Sequence, residues 1–187
     1  MHKELINKAI EVLKNKGTLL YPTDTIWGVG CDATIEEAVE KVFQLKQRPD
    51  SKSFIILVDS VAMLERYIPS FPEVCYDLID FAEKPLTIVY DDAKGLASNV
   101  LAADGSIGVR VTKDPVCVQL IRGLRKPIVS TSANLSGSPT PTCFGDVSQE
   151  IKKGVDFIFE HRTEEIMQRP SSIIRVGKNA DVQIIRK

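Results

Sequence analysis

The sequence predicts a single α/β (α+β) domain over residues 1–187, built on one twisted, mixed β-sheet that is flanked by helices. Patterns typical of helices and of strands alternate along the whole chain, which favours this class over an all-helical or all-strand protein. Residues 53–58 form an almost wholly apolar run, as in a strand that is covered on both faces. With 187 residues, 43% of them hydrophobic, the chain is long enough to bury the core of one domain.

The first fifty residues predict a helix, a strand and a second helix. Apolar side chains between positions 5 and 13 recur at helical spacing, and Gly17 is suited to end that helix. Residues 18–21 predict a strand. Thr34 followed by Glu37 has the spacing of a capping box, so we expect the second helix to begin there.

The remaining elements follow from the same patterns. Asp114 before Pro115 indicates the start of a helix, because aspartate caps helices and proline suits their first position. Helices are expected over residues 61–67, 73–81, 114–122 and 147–153. Strands are expected over residues 86–90, 107–111, 127–130, 155–159, 172–176 and 182–185.

Composition excludes several classes of protein. Lysine and arginine number 24 against 25 aspartate and glutamate, which gives a net charge of −1. This balance argues against a protein whose main role is to coat nucleic acid. The cysteines at positions 31, 75, 117 and 143 lack metal-binding spacing and predict reduced thiols. No apolar run approaches the ~20 residues of a membrane span. We therefore expect a cytoplasmic protein without a membrane partner.

Three polar segments carry the functional signal, and the first covers residues 21–30. Thr23, Asp24 and Thr25 stand where a strand ends, and Gly28 and Gly30 follow them. Glycines there let the backbone approach a ligand closely. The alternative is a turn held by local bonds from hydroxyls to the backbone.

The second segment is Lys-Gln-Arg-Pro-Asp-Ser-Lys at positions 46–52. Lys46, Arg48 and Lys52 could clamp phosphates, because arginine offers a planar fork and lysine a mobile charge. The same cations could instead complement a helix C-terminus or cover a solvated face.

The third segment runs from Pro127 to Gly137 and extends to Thr142. Small hydroxyl residues and Asn134 follow an apolar strand there, which suits a polar ligand, although such a loop can also be a flexible connection. Arg110 lies within an apolar strand and needs an anionic partner, which no carboxylate of that strand provides. The sequence has neither a phosphate-binding glycine motif nor a histidine near these segments to activate a serine.

Taken together and in this order, the segments resemble the YrdC-like family of L-threonylcarbamoyladenylate synthases. That family has a Tyr-Pro-Thr-acidic-Thr strand end, a Lys-x-Arg motif and a Ser-x-Asn motif. The corresponding residues here are 21–25, Lys46-Gln47-Arg48 and Ser132-Ala133-Asn134. The resemblance implies a short, single-domain form with a large basic cleft. The sequence departs from the family pattern at two positions. Trp27 stands where the family usually has tyrosine, and Leu57 stands where some relatives have histidine.

The resemblance also implies a reaction and its residues. L-Threonine, bicarbonate and ATP, with Mg²⁺, would give threonylcarbamoyl-AMP and pyrophosphate. Other proteins would then complete threonylcarbamoyladenosine in tRNA, and weak binding of tRNA is compatible with this role. The catalytic residues it implies are Lys46, Arg48, Ser132 and Asn134. The ATP-binding residues are Arg48, Lys52, Ser106, Ser132, Thr140 and Arg186, and those for threonine are Thr25, Arg110, Ser130 and Ser171.

Two other hypotheses remain open at this point. The first is an RNA-binding module, for tRNA or double-stranded RNA, that uses the same basic cleft; the cations of residues 46–52 favour it, but the net charge and the lack of interleaved aromatic residues do not. The second is a nucleotide-dependent enzyme for a different amino acid or acyl acceptor.

Overall fold

The strands join into one sheet in the computed structural model, which describes residues 2–47, 54–167, 169–177 and 179–187. The described helices are α1 (His2–Lys14), α2 (Glu36–Lys46), α3 (Val61–Tyr67), α4 (Val74–Asp80), α5 (Pro115–Leu124) and α6 (Gln149–Gly154). The described strands are β1 (Leu19–Tyr21), β2 (Gly28–Gly30), β3 (Ile55–Val58), β4 (Leu86–Tyr90), β5 (Ile107–Val111), β6 (Ile128–Ser132), β7 (Phe157–Ile158), β8 (Ser172–Val176) and β9 (Val182–Arg186). The predicted α/β class is confirmed.

The sheet is mixed, as predicted. Its strand order is β7-β1-β2-β6-β3-β5-β4-β8-β9. Strands β1 and β7, β3 and β5, and β4 and β8 pair in parallel, whereas the other described pairs are antiparallel. Helices α1 and α5 pack against each other and against β1 and β3 respectively. Strand β5 is an interior strand, paired with β3 on one side and β4 on the other, and its side chains are almost all buried.

The two predicted helix starts had different outcomes. Asp114 caps α5 as expected, because its Oδ1 accepts from the backbone N–H groups of Val116 at 2.9 Å and Cys117 at 3.0 Å. The capping box at Thr34 is wrong: residue 35 is the N-cap of α2, and its side chain makes no capping bond. The Thr34 hydroxyl instead donates to Oδ1 of Asp32 at 2.6 Å, and the Thr34 N–H donates to the same oxygen at 2.8 Å, so Thr34 belongs to a turn that precedes the helix.

Strand β2 was not predicted, since its glycines pointed to a turn that approaches a ligand. In the structure Gly30 instead packs against Tyr21 and Val129 of the protein itself. The Tyr21 hydroxyl donates to the carbonyl of Val129 at 2.9 Å. A Cβ atom on Gly30 would lie 1.9 Å from that carbonyl oxygen and 2.9 Å from the Tyr21 ring. Glycine is therefore required here so that β2 can fit between this ring and β6.

The cysteines and the helices agree with the predictions for thiols and membrane segments. Cys31, Cys75 and Cys117 are buried free thiols, and Cys143 is partly exposed, in agreement with the sequence-based prediction. Among the described helices, none combines the length and the apolar character needed to cross a bilayer.

Replacing Gly30 by alanine should destabilise the fold by about 3 kcal/mol, because the new methyl group would force β2 away from β6. Chemical denaturation monitored by circular dichroism measures this change. Gly28→Ala is the matched control in the same strand, since its nearest neighbours would lie at an ordinary 3.5 Å. Equal stability of the two variants would contradict this explanation of the glycine.

Candidate active site

A cavity of about 390 Å³ lies over the middle of the sheet and collects residues from distant parts of the chain. Its volume is within the range of small-molecule sites, roughly 300–1,000 Å³. Eight of the predicted site residues line it, namely Thr25, Ser106, Arg110, Ser130, Ser132, Thr140, Ser171 and Arg186. Its apolar wall includes Phe54, Ile55, Val89, Ile173 and Ile185. The cavity can thus take a ligand that has both polar and apolar parts.

The pleat of β5 and of the extended residue before it explains why three residues of this segment share the cavity. Side chains alternate between the two faces of a strand, so Ser106, Gly108 and Arg110 lie on one face and contribute to the cavity. Val109 and Val111 lie on the other face, where they line a separate cavity of about 170 Å³.

Arg110 is the most buried cation of this cavity, with 2% of its side chain exposed. Its Nη1 donates to the Thr25 hydroxyl at 3.3 Å. Its Nη2 lies 3.1 Å from Oδ1 of Asp24, close enough for an ion pair. Nevertheless, Nε and Nη2 have no hydrogen-bond acceptor among the described residues. These two donors form one edge of the guanidinium, which is the geometry that binds both oxygens of a carboxylate.

Asp24 is the anionic partner that Arg110 was predicted to need, and it comes from the first polar segment. We did not predict it as a site residue. Burial raises the pKa of the Asp24 carboxyl, and the Arg110 charge only partly opposes that shift. Asp24 lines the second cavity rather than the first. It therefore acts on the site through Arg110, and the acidic position of the Tyr-Pro-Thr-Asp-Thr motif is the signal that could have identified it.

A hydroxyl-based turn presents Thr25 to Arg110. The Thr23 hydroxyl accepts from the N–H groups of Thr25 at 3.0 Å and Ile26 at 3.2 Å, and it donates to the Ile26 carbonyl at 2.7 Å. Its 2.9 Å contact with the Thr25 hydroxyl then leaves Thr25 as the donor of that bond. A lone pair of Thr25 is thus free to accept from Arg110. The local-turn interpretation of this segment is correct, and the turn also serves the cavity.

A second guanidinium faces the same cavity from β9. Arg186 donates through Nε at 3.0 Å and through Nη2 at 2.8 Å to the carbonyl of Ser171. The Ser171 hydroxyl is 2.8 Å from the Thr87 hydroxyl. Burial, and after it the positive charge of Arg110, lowers the pKa of Arg186. Two cations that repel each other across one cavity favour an anionic ligand between them.

Lys46 joins the second polar segment to the third. It is 1% exposed, and its Nζ donates to the carbonyl of Ser132 and, at 2.6 Å, to that of Asn134. The N–H of Ser136 donates to the carbonyl of Lys46 at 2.8 Å. Lys46 therefore holds the backbone that follows β6, and it is not among the residues that line the cavity.

Asn134 orders the next turn of the same loop. Its Nδ2 donates to the carbonyls of Leu135 at 3.0 Å and Ser138 at 2.6 Å, while its buried Oδ1 has no described partner. The structure thus brings Lys46, Ser132 and Asn134 together. The predicted phosphate ligands Arg48 and Lys52 lie outside the described residues.

Two residues that depart from the family pattern are buried. Leu57 pairs with Arg110 across β3 and β5 and does not line the cavity. Trp27 packs on Phe144 with ring centroids 4.9 Å apart. Within the described ranges, no three histidine, cysteine, aspartate or glutamate side chains form a group that could hold a metal ion.

Asp24→Asn should destabilise the protein by about 3 kcal/mol, because it leaves the buried Arg110 charge without a counter-ion. This value is at the low end for buried pairs, since 23% of the Asp24 side chain is exposed. Urea denaturation measures the loss. Glu37→Gln, which breaks an exposed pair with Lys16, should change stability little. If both variants matched the wild type, Asp24 would not be the counter-ion described here.

The sequence matches the model of the Sua5/YciO/YrdC family, described as "Telomere recombination", over residues 11–187. The threonylcarbamoyl-AMP synthase of Hahella chejuensis (strain KCTC 2396) is 35% identical over 170 residues, which cover 90% of this chain and 91% of that protein.

Two solved structures share the fold. A double variant of P. abyssi Sua5 has a TM-score of 0.87 at 25% identity, covering 100% of this chain and 56% of that chain. E. coli YciO has a TM-score of 0.84 at 25% identity, covering 99% of this chain and 89% of YciO. The chain thus spans about half the length of P. abyssi Sua5. With a family match over most of its length, the chain belongs to the Sua5/YciO/YrdC family.

Proposed function

We propose that this protein is a threonylcarbamoyl-AMP synthase, which converts L-threonine, bicarbonate and ATP to threonylcarbamoyl-AMP and pyrophosphate. The observation that carries the proposal is the buried guanidinium of Arg110, which lines a cavity with several hydroxyls and a second arginine and whose Nε and Nη2 have no hydrogen-bond acceptor among the described residues. The edge formed by these two donors suits the carboxylate of an amino acid. The name of the Hahella chejuensis relative, which covers nearly the whole chain, supports the reaction.

The amino acid would bind at the Arg110 end of the cavity. Its carboxylate would accept from Nε and Nη2, which are desolvated and already oriented by the bond from Nη1 to Thr25. Hydroxyls of Thr25, Ser130 and Ser171 line the same space and would position the remaining polar groups. Because these hydroxyls are held by protein, little reorganisation is needed when the ligand binds.

The nucleotide would lie toward the loop that follows β6. We propose that Arg48, Lys52, Ser132, Asn134, Thr140 and Arg186 hold the phosphates, while Lys46 keeps the Ser132 and Asn134 backbone in place. Mg²⁺ would enter bound to the phosphate oxygens of ATP and share their charge. Threonine carbamate, formed from the amine and bicarbonate, would attack the α-phosphorus, and pyrophosphate would leave. Cations beside the leaving group would stabilise its developing charge.

The proposal extends to the enzyme's class, location, domain organisation and partners. The enzyme would be a nucleotidyltransferase of the cytoplasm, and residues 1–187 would form one domain with a large basic cleft. Its product would pass to proteins that transfer the threonylcarbamoyl group to tRNA, and weak binding of tRNA would accompany that role. The alternative of an RNA-binding module is not favoured, because relatives over most of the chain are named as synthases.

The direct test is pyrophosphate release from ATP by the purified protein. Release should require both L-threonine and bicarbonate, and mass spectrometry should detect threonylcarbamoyl-AMP. L-Serine and L-valine, tested in the same assay, separate a threonine enzyme from one that uses a different amino acid. Pyrophosphate release that is independent of threonine, or no release at all, would refute the proposal.

Arg110→Lys should raise the KM for threonine about 100-fold, because lysine keeps the charge but loses the two-donor edge, and each charge-assisted bond contributes about 1.5–3 kcal/mol. Steady-state kinetics with varied threonine measures the change, and the affinity for ATP should remain within a few-fold of the wild type. Arg122→Lys is the control, since Arg122 is exposed and pairs with Asp59. A KM near the wild-type value in Arg110→Lys would place the carboxylate elsewhere.

A further inference from the structure

The two edges of the sheet differ in how well they are protected. At one edge lies β7, which has only the two residues Phe157 and Ile158, both partly buried. At the other edge lies β9, whose five residues are all exposed. Among the described residues, no strand pairs with the outer side of β9. A short edge strand resists pairing with other chains, whereas a longer one presents a row of unpaired backbone groups.

An apolar row runs from β8 onto β9 and ends at this edge. Ile174 of β8 pairs with Ile184 of β9, and Val176 pairs with Val182 on the same face. The register shift of these strands falls between Ile173 and Ile174, so the row itself is regular. The two β8 residues are buried, at 8% and 5% exposed, whereas Ile184 is 58% and Val182 49% exposed. A strand added to this edge would extend the row and cover it.

The charges that flank β9 have opposite signs at its two ends. Asp181 precedes the strand and Lys187 follows it, while residues 182–185 carry no charge. Neither proline nor an inward-pointing charge therefore protects the middle of this edge. A strand with this pattern complements a second copy of itself when the two run antiparallel, because each acidic end then meets a basic end.

A second group of carboxylates lies near the Val182 end of β9. Val176, which pairs with Val182, lines a cavity of about 290 Å³ together with Asp91 and Asp92. Asp91 forms an ion pair with Arg175 at 2.7 Å. These two carboxylates and one guanidinium together carry a net negative charge. A cation that arrives across the edge of the sheet is thus attracted to this end of β9.

We propose that two copies of this chain pair antiparallel along β9, around a two-fold axis beside Ile184. Each Ile184 then faces its counterpart, and the two apolar rows join across the axis. Lys187 of each copy lies at the Val182 end of the other, near Asp181 and Asp92. Parallel pairing is disfavoured because it would bring like charges together.

The interface is self-complementary, as two-fold symmetry requires. Because β9 has only five residues, the interface is small and the dimer belongs to the weak, concentration-dependent class. The inference concerns an edge of the sheet and does not rest on the proposed reaction.

Sedimentation velocity over a range of protein concentrations tests the proposal. The wild type should shift reversibly from monomer to dimer as the concentration rises. Ile184→Lys should raise the Kd of the dimer at least about 100-fold, because each dimer would lose two covered isoleucines and place two lysines face to face. Ile166→Lys is the control, since Ile166 is 72% exposed but lies outside the sheet. Circular dichroism confirms that both variants are folded.

Cysteine cross-linking tests the orientation and register. A Cys143→Ser background removes the native thiol that is not buried. Ile184→Cys in this background should give a disulfide-linked dimer under mild oxidation, because its two Cα atoms would lie about 5 Å apart at the axis. Val182→Cys is the matched control. Its two copies would be offset by four residues, about 13 Å, which is too far for a disulfide.

Three results would overturn the inference. One is a protein that stays monomeric at every concentration at which it is soluble. Another is a dimer that persists in folded Ile184→Lys, since the copies would then meet through a different surface. The third is equal cross-linking through positions 182 and 184, as a parallel or shifted pairing would give. Threonine-dependent release of pyrophosphate is measured separately and would stand in each case.

Discussion

A buried guanidinium in an interior strand of the sheet, β5, is the constraint on which the rest of this site depends. Placing Arg110 among apolar side chains costs several kcal/mol unless other groups compensate its charge and donors. Asp24 supplies the charge and Thr25 takes one donor, yet two donors keep no acceptor in the described part of the chain. The fold thus satisfies Arg110 only in part, and the carboxylate of the proposed substrate would supply the missing acceptors.

The groups around Arg110 are arranged before any ligand binds. Thr23 fixes the turn that carries Thr25, and Thr87 lies beside Ser171. Lys46 holds the backbone after β6. The Thr23 and Thr25 hydroxyls thereby have defined hydrogen-bond roles, and the Thr87 and Ser171 hydroxyls bond to each other. Preorganised dipoles of this kind are an effective source of transition-state stabilisation, because they need no reorientation during the reaction.

Much of the fold and of the candidate site could be predicted from sequence. Some residues are unfavourable in their local setting unless a particular kind of partner is present, and that requirement is visible in the sequence. An arginine in an apolar strand signals an anionic partner, and an aspartate before a proline signals a helix start. Asp24 was missed as that partner because the contact joins segments 86 residues apart, and spacing carries no information about such contacts. Strand β2 was missed because Gly30 is needed for packing against the Tyr21 ring and the Val129 carbonyl, which only the folded chain brings together. The capping box failed for a local reason, since Thr34 belongs to a turn held by Asp32 and the helix begins one residue later.

The central claim, that a carboxylate completes the hydrogen bonds of Arg110, can be tested directly by NMR of the arginine Nε–H groups. The Arg110 signal is assigned through its loss on substitution by lysine. L-Threonine should shift this signal downfield and slow its exchange with water, as expected for a new charge-assisted bond. L-Threoninamide, which lacks the carboxylate, should do neither. Threonine binding that leaves the Arg110 signal unmoved would contradict the account.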